Sequence, residues 1–392
     1  MALATPSHSD PSTADPKSPP KKPSWFYRHV VLGSVAFVNV PFWSMGLCLG
    51  AYGVLFVNAT PRFKTLLGMY LLYGCFDPSP TWGGYPWMPY SWIEWLRNAT
   101  FLRLFAQYFP VSLVISEDKA GTADDSAADT SQTNSPDTTT KQSSSSLQST
   151  ASSTSSLSSS TSFSPDQSFI FLYHPHGVIG LGACTSLITN ACGFDTLQIR
   201  RRAATLNACF LVPFYREWML SLGVVSANKS TLKGILLRKH QNHHGDNNHA
   251  RESVILLPGG AMEALYAQPG RFRLYLQRRK GFCKLAMETG AALVPVVGFG
   301  ENQAFCTILP PKDSWLATFQ HVFTKICTFS LPLLASPWPQ PHPIHVVVGQ
   351  PLRPQPGMTV DEFHAAYLDA LTQLYNREKA RYGHADIPLE IL

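Results

Sequence analysis

The sequence lacks a Cys-x-x-Cys pair and any zinc-finger spacing, so a thioredoxin-type redox motif and a knuckle-type zinc site are both excluded. Its eight cysteines, at positions 48, 75, 184, 192, 209, 283, 306 and 327, are scattered, several inside apolar stretches, as reduced buried thiols on a cytosolic face would be. No Gly-x-Ser-x-Gly elbow occurs, which removes the usual esterase or lipase nucleophile. Excess charge is scarce too. A net +6 over 392 residues is too dilute for a nucleic-acid surface, but suits anionic headgroups or a polyanionic substrate. The Pro-, Ser- and Lys-rich start has no apolar signal-peptide core and reads as a disordered cytosolic tail over residues 1–29.

The longest absence is of charge itself: residues 30–60 carry no ionisable acid or base apart from thiol and phenol groups. A run of that length can enter a bilayer, whose hydrocarbon core takes about 20 apolar residues. Residues 30–76 are therefore expected to be a membrane anchor. Pro41 divides the run, and basic residues flank it on both sides (Lys21, Lys22 and Arg28 before, Arg62 and Lys64 after). A hairpin with both ends cytosolic fits those flanks, and two full crossings using residues 65–76 are the alternative. Residues 77–117 hold Trp92, Trp95, Leu96, Leu102, Phe105 and Phe109 at helical spacing, with Arg97 and Arg103 between them. Either an interfacial helix or a core-facing one fits this pattern. Residues 118–166 turn to Ser, Thr, Asp and Gln, a composition that predicts a disordered insertion.

What is present after the insertion alternates between apolar runs and helical patterns. Strands are expected over residues 169–173, 253–257, 293–299 and 344–348, and helices over 178–190, from about 262, over 283–289 and over 360–382. Gly290 is placed to stop the third of these helices. This pattern implies an α/β catalytic domain over residues 167–392: a mixed sheet flanked by helices, with site residues at strand ends.

The chemistry concentrates in turns. An apolar strand ends at His174-Pro175-His176-Gly177, where Pro175 restricts the backbone and Gly177 releases it, so that an imidazole reaches the edge of a site. A second strand ends at Pro258-Gly259-Gly260, followed by Glu263 at a helix start. A basic cluster follows: Arg271, Arg273, Arg278, Arg279, Lys280 and Lys284, whose guanidinium and ammonium groups suit phosphates as well as they suit a solvated face. His240, His243, His244, Asp246 and His249 lie in a polar stretch with no metal-ligand logic in their spacing, so no metal is expected.

Together the motifs resemble the type 2 diacylglycerol acyltransferase family, which includes monoacylglycerol and wax-alcohol acyltransferases. The resemblance rests on Tyr108-Phe109-Pro110, His174-Pro175-His176-Gly177, Pro258-Gly259-Gly260-Ala261-Met262-Glu263 and Arg279-Lys280-Gly281-Phe282. It continues through Leu293-Val294-Pro295-Val296, Phe299-Gly300-Glu301-Asn302 and Val348-Gly349-Gln350-Pro351. It implies a glycerolipid-acyltransferase-like fold and an enzyme of the endoplasmic reticulum and lipid droplets, with a cytosolic catalytic domain. Such an enzyme moves an acyl group from acyl-CoA, a substrate rather than a cofactor, to a neutral lipid alcohol.

In that setting His176 is expected to be the general base, His174 to shape the site, and Glu263 to orient His176 and stabilise its protonated form. Backbone N–H groups from Gly177 onward are oxyanion-hole candidates. Arg278, Arg279 and Lys280 are assigned to acyl-CoA, and Gly177, Gly259 and Gly260 to the acceptor turns. The turn at residues 258–260 has no cation to grip a phosphate, which favours diacylglycerol or another neutral acceptor over a phosphorylated one. Monoacylglycerol or a long-chain alcohol is the near alternative and a catalytically silent lipid-binding scaffold the distant one. The sequence leaves a homo-oligomer open.

Overall fold

A computed structural model describes residue 33 and residues 41–116, 163–241, 249–311, 313–327, 329–336 and 338–392. The expected tail at 1–29, most of the 118–166 insertion, and His243, His244 and Asp246 of the histidine-rich stretch lie outside the described residues.

The central sheet has eight strands: β1 (Val111–Ile115), β2 (Phe169–His174), β3 (Arg200–Thr205), β4 (Val224–Ser226), β5 (Lys239–Gln241), β6 (His249–Leu256), β8 (Ala292–Phe299) and β11 (Ile344–Val348). Their order is β1-β11-β8-β2-β6-β3-β4, with β5 paired to β6. Strands β8, β2, β6, β3 and β4 run parallel, whereas β11 meets β8 antiparallel and carries β1 alongside in its own direction. Two small sheets pair β7 (Phe272–Leu274) with β12 (Leu389–Ile391), and β9 (Thr307–Ile308) with β10 (Leu333–Leu334).

Alternation along β2 distributes its side chains to two cores, because successive residues of a strand face opposite ways. Phe169, Phe171 and Tyr173 join one apolar cluster with Val294, Val296, Leu102 and Phe105. Ile170 and Leu172 join the other, beneath the helices α7 (Lys229–Leu237), α9 (Gly281–Thr289) and α11 (Val360–Glu378). All six residues of β2 are buried, as a strand covered on both faces requires. Helix α11 starts at a capping box, in which Thr359 and Glu362 satisfy each other's backbone N–H groups.

Of the anchor expected at 30–76, residues 30–32 and 34–40 also lie outside the described residues. The apolar run appears as two helices in contact, α1 (Pro41–Asn58) and α2 (Pro61–Phe76), each opening at a proline, and among the described residues no helix is long and apolar enough to cross a membrane. Both leave large apolar side chains exposed, among them Leu49, Val54, Val57, Leu66, Met69, Leu72 and Phe76. After the short helix α3 (Ser79–Trp82), the pattern at 92–109 becomes two helices, α4 (Tyr90–Arg97) and α5 (Thr100–Tyr108), broken at Asn98 and Ala99. Trp92 and Trp95 point outward, while Leu102, Phe105 and Phe109 enter the core. Arg97, on the same stretch, is fully buried and donates to the carbonyls of Leu222 and Arg201.

Helix α7 packs beside β6, and three further α-helices are α6 (Tyr215–Ser221), α8 (Gly260–Leu265) and α10 (Trp315–Cys327). The helix expected from Val178 begins only at Leu181, and residues 183–188 are wound as a π-helix. The insertion also ends sooner than expected, since Phe163 is buried and packs on Phe169 and Phe171.

Candidate active site

The two histidines of the turn go to different places. His174 is the last residue of β2 and shares the parity of Ile170 and Leu172, so its ring points under α11. There it is wholly buried, with Nε2 2.9 Å from the Tyr367 hydroxyl and Nδ1 without a hydrogen-bond partner. Burial pushes its pKa down to about 3, so the ring is neutral at physiological pH.

His176 lies past the strand end and forms part of the wall of a cavity of about 980 Å³. Its Nδ1 is 3.1 Å from the carbonyl of Gly177. A carbonyl only accepts, so in the neutral ring Nδ1 carries the hydrogen and Nε2 keeps its lone pair. Burial lowers the His176 pKa, against the opposing pull of the Gly177 carbonyl. The result is a neutral imidazole with a defined acceptor nitrogen.

Glu263 sits beside this turn but does not meet the imidazole. Its Oε2 accepts the main-chain N–H of His176 at 2.8 Å, and its Oε1 accepts that of Tyr275 at 2.9 Å. Burial raises its pKa to about 7, opposed by those two N–H donors and by the charge of Arg279. The expected carboxylate–imidazole contact is thus replaced by a contact to the backbone: Glu263 fixes where the turn runs. The reason is geometric, because the short helix α8 carries the side chain back over the turn at Gly259. A Cβ on Gly259 would coincide with the Glu263 carboxylate.

A second buried glutamate holds the other side. Glu301 accepts the Tyr173 hydroxyl and the N–H of Gly182 through Oε2, and the N–H of Leu181 through Oε1, each at 2.7 Å. Its pKa is also raised to about 7 by burial, against these donors. Two of the N–H groups counted as oxyanion donors are therefore already engaged. Gly177 has φ +58°, and a Cβ there would run into the Glu301 side chain. Gly177 and Gly259 accordingly serve the two carboxylates, and only Gly260 of the three turn glycines borders the cavity.

The cavity runs from the π-helical segment, where Cys184 and Ile188 face it, past Met219 and Leu257 to Arg278, Arg279 and Lys280. Its mostly apolar walls suit acyl chains, and the cationic end suits phosphates. The basic cluster is divided. Arg278 and Arg279 are exposed beside the cavity, Lys280 pairs with Asp361 at 2.8 Å, and Arg273 pairs with Glu390 at 2.7 Å, away from it. The Cys184 and Cys283 thiols are each pushed up to about 12, chiefly by burial, which leaves neither as a thiolate nucleophile. Tyr108 and Phe109 pack edge to face at 4.9 Å in the core and do not border the cavity.

With this geometry in view, a family model described as diacylglycerol acyltransferase matches residues 154–392. The chain belongs to the diacylglycerol acyltransferase family. It is accordingly an O-acyltransferase. It is 32% identical to human diacylglycerol O-acyltransferase 2-like protein 6, covering 84% of this chain and 90% of that protein. Diacylglycerol O-acyltransferase 2A of Umbelopsis ramanniana is also 32% identical, over 78% of this chain and 75% of its own. Bovine 2-acylglycerol O-acyltransferase 1 is 31% identical, over 74% and 76%. The crystal structure of the 1-acyl-sn-glycerophosphate acyltransferase PlsC from Thermotoga maritima superposes with TM-score 0.39 at 11% identity, over 90% of this chain and 98% of that one, too loosely to carry an argument.

Sequence reasoning missed Tyr367, the partner of His174, and Tyr173, Leu181 and Gly182 as the partners of Glu301. A signal for the first was available in the parity of β2, which assigns His174 to the face of Ile170 and Leu172.

Proposed function

We propose that the chain transfers the acyl group of acyl-CoA to the free hydroxyl of diacylglycerol, with His176 as general base. The observation that carries this reading is the 3.1 Å contact between His176 Nδ1 and the Gly177 carbonyl: a carbonyl can only accept the Nδ1 hydrogen, which leaves Nε2 to take a proton at the wall of a large apolar cavity. In the reaction Nε2 takes the hydroxyl proton as the oxygen attacks the thioester carbonyl. The carbon–sulfur bond then breaks, and the coenzyme A thiolate leaves with the proton held on the imidazolium. No covalent acyl-enzyme is formed and neither metal nor cofactor takes part.

Glu263 and Glu301 are positioning residues, clamping the main chain before and after the turn. The N–H groups of residues 177–180 are the remaining candidates for the oxyanion, because Glu301 occupies the next two. Arg278 and Arg279 take the coenzyme phosphates. Absence of any cation in the turn at residues 258–260 fits a neutral acceptor. The enzyme would work at the endoplasmic reticulum membrane and on lipid droplets, with its catalytic domain in the cytosol. Labelled oleoyl-CoA offered to purified membranes with diacylglycerol, monoacylglycerol or a fatty alcohol tests the reading. Triacylglycerol as the main product supports it, and exclusive formation of diacylglycerol or wax ester overturns the choice of acceptor.

A further inference from the structure

Helix α10 turns an apolar stripe away from the protein. Trp315, Phe319, Val322 and Ile326 are 78%, 49%, 49% and 75% exposed, and their spacing sets them on one stripe. Toward the protein the helix turns half-buried Leu316, Ala317 and Phe323, but its two buried residues are polar. Gln320 and Thr324 are buried, Gln320 Nε2 donates to the Leu331 carbonyl at 2.8 Å, and the Thr324 hydroxyl has no hydrogen-bond partner. His321 is hydrogen-bonded to the Tyr266 hydroxyl. Water selects the opposite arrangement, so the stripe is matched to an apolar medium.

Its position says which medium. The chain leaves α10 directly into Phe329, Ser330, Leu331 and Pro332, which form part of the cavity wall, and Phe329 and Leu331 are themselves more than a third exposed, at 40% and 43%. Ser44 and Met45 of α1 border the same cavity, and α1 and α2 carry exposed apolar side chains of the same kind. The cavity is therefore flanked by two exposed apolar elements. Trp315 has the amphipathic ring suited to a headgroup boundary, and exposed Lys325 suits anionic headgroups.

We propose that α10 lies in the interfacial layer of a phospholipid bilayer with its apolar stripe toward the acyl chains, and that it and residues 329–334 form the side of the cavity through which the lipid acceptor enters. The entry role rests on the acceptor being a neutral lipid, as proposed above. The docking role does not. Tyr266 also stacks on Tyr275, whose main-chain N–H is held by Glu263, so the docked helix is tied by packing to the catalytic turn.

Full-length protein in vesicles of phosphatidylcholine and phosphatidylserine, doped with a phosphatidylcholine bearing a diazirine in its acyl chain, tests the docking. Irradiation and peptide mapping are expected to find adducts on Trp315, Phe319, Val322 or Ile326. Adducts confined to residues 41–76 overturn the proposal, as does a stripe that stays unlabelled because a second copy covers it. The entry role is tested with Phe319→Ser/Ile326→Ser, comparing dioleoylglycerol in the bilayer with a short-chain diacylglycerol in detergent. The bilayer rate is expected to fall about tenfold with the detergent rate held within about twofold. Equal loss with both acceptors, or loss with neither, overturns it. A chain inactive on every acylglycerol would fail the functional reading while leaving the photolabelling pattern to decide the docking.

Discussion

Glu263 accepts the main-chain N–H of His176 at 2.8 Å, and its carboxylate fills the space that a side chain at Gly259 would need. Glu301 does the same for the stretch after the turn and for Gly177. The segment carrying the base is thus suspended between two buried carboxylates, each protected by a glycine.

Glu263→Gln is the conservative probe of that suspension. Both oxygens of Glu263 face N–H donors, so an amide turns one contact into donor against donor and leaves a buried N–H unsatisfied, at a cost of about 1–3 kcal/mol. We expect a lower Tm and a loss in kcat with little change in the KM for acyl-CoA. Gly259→Ala should be at least as damaging, and a Gly259→Ala enzyme with normal kcat would show that the Glu263 contact is dispensable. These are read from thermal unfolding and steady-state kinetics of the detergent-solubilised protein.

His174 and Tyr367 form a buried hydrogen bond away from the cavity. Tyr367→Phe should therefore cost about 1–3 kcal/mol of stability by orphaning the imidazole, while activity per folded molecule is retained. His174→Ala should behave likewise, with a further loss for the empty space. A large drop in kcat at unchanged Tm in Tyr367→Phe would place His174 in the reaction instead.

The pH profile has a defined sign. Burial lowers the His176 pKa below its ordinary value of 6.5, and the neutral ring is the active form, so the acidic limb of kcat/KM should fall below pH 6.5. The two glutamates act on stability in the other direction. Their folded pKa values are raised from 4.5 to about 7, so the stability they contribute is fully present below pH 4.5 and is lost as pH rises through about 7. Neutral buried His174, with its pKa lowered to about 3, works against them below pH 6.5, so the test is a difference: in thermal unfolding from pH 5 to 8, the Tm advantage of the wild type over Glu301→Gln should shrink as pH rises.

Arg278 and Arg279 are exposed at the cationic end of the cavity, whereas Lys280 is held by Asp361. Arg278→Gln/Arg279→Gln should raise the KM for acyl-CoA about tenfold or more with the acceptor KM nearly unchanged, and added salt should reproduce part of the effect. Lys280→Gln should do less. Unaltered acyl-CoA saturation in the double variant would return these arginines to the solvated surface.

The parts of this architecture that were legible in the sequence are those where local pattern and burial agree. Residues 169–173 and 292–299 are continuous apolar runs because both sheet faces are covered, 344–348 is interrupted only by half-buried His345, and Gly290 at φ +70° closes α9 as expected. Strand β3 was hidden because it begins Arg200-Arg201-Arg202. Two of those arginines are held by carboxylates: Arg201 pairs with Asp195 at 2.6 Å and Arg202 with Glu252 at 3.2 Å. Helix α10 was hidden for a related reason, since Trp315, Phe319, Val322 and Ile326 face outward while Gln320 and Thr324 are buried. The site motifs were legible as turns, but the role of Glu263 was not. Whether a carboxylate meets a ring or a backbone N–H depends on how a six-residue helix folds back over its own turn, and no residue pattern states that.

The central claim is that Nε2 of His176 removes the acceptor's proton, and His176→Ala in the full-length enzyme tests it most directly. With oleoyl-CoA and diacylglycerol, the account predicts a fall in kcat of about 10² to 10⁴ with Tm and the KM for acyl-CoA nearly unchanged. A His176→Ala enzyme that forms triacylglycerol within a few-fold of the wild-type rate would contradict it.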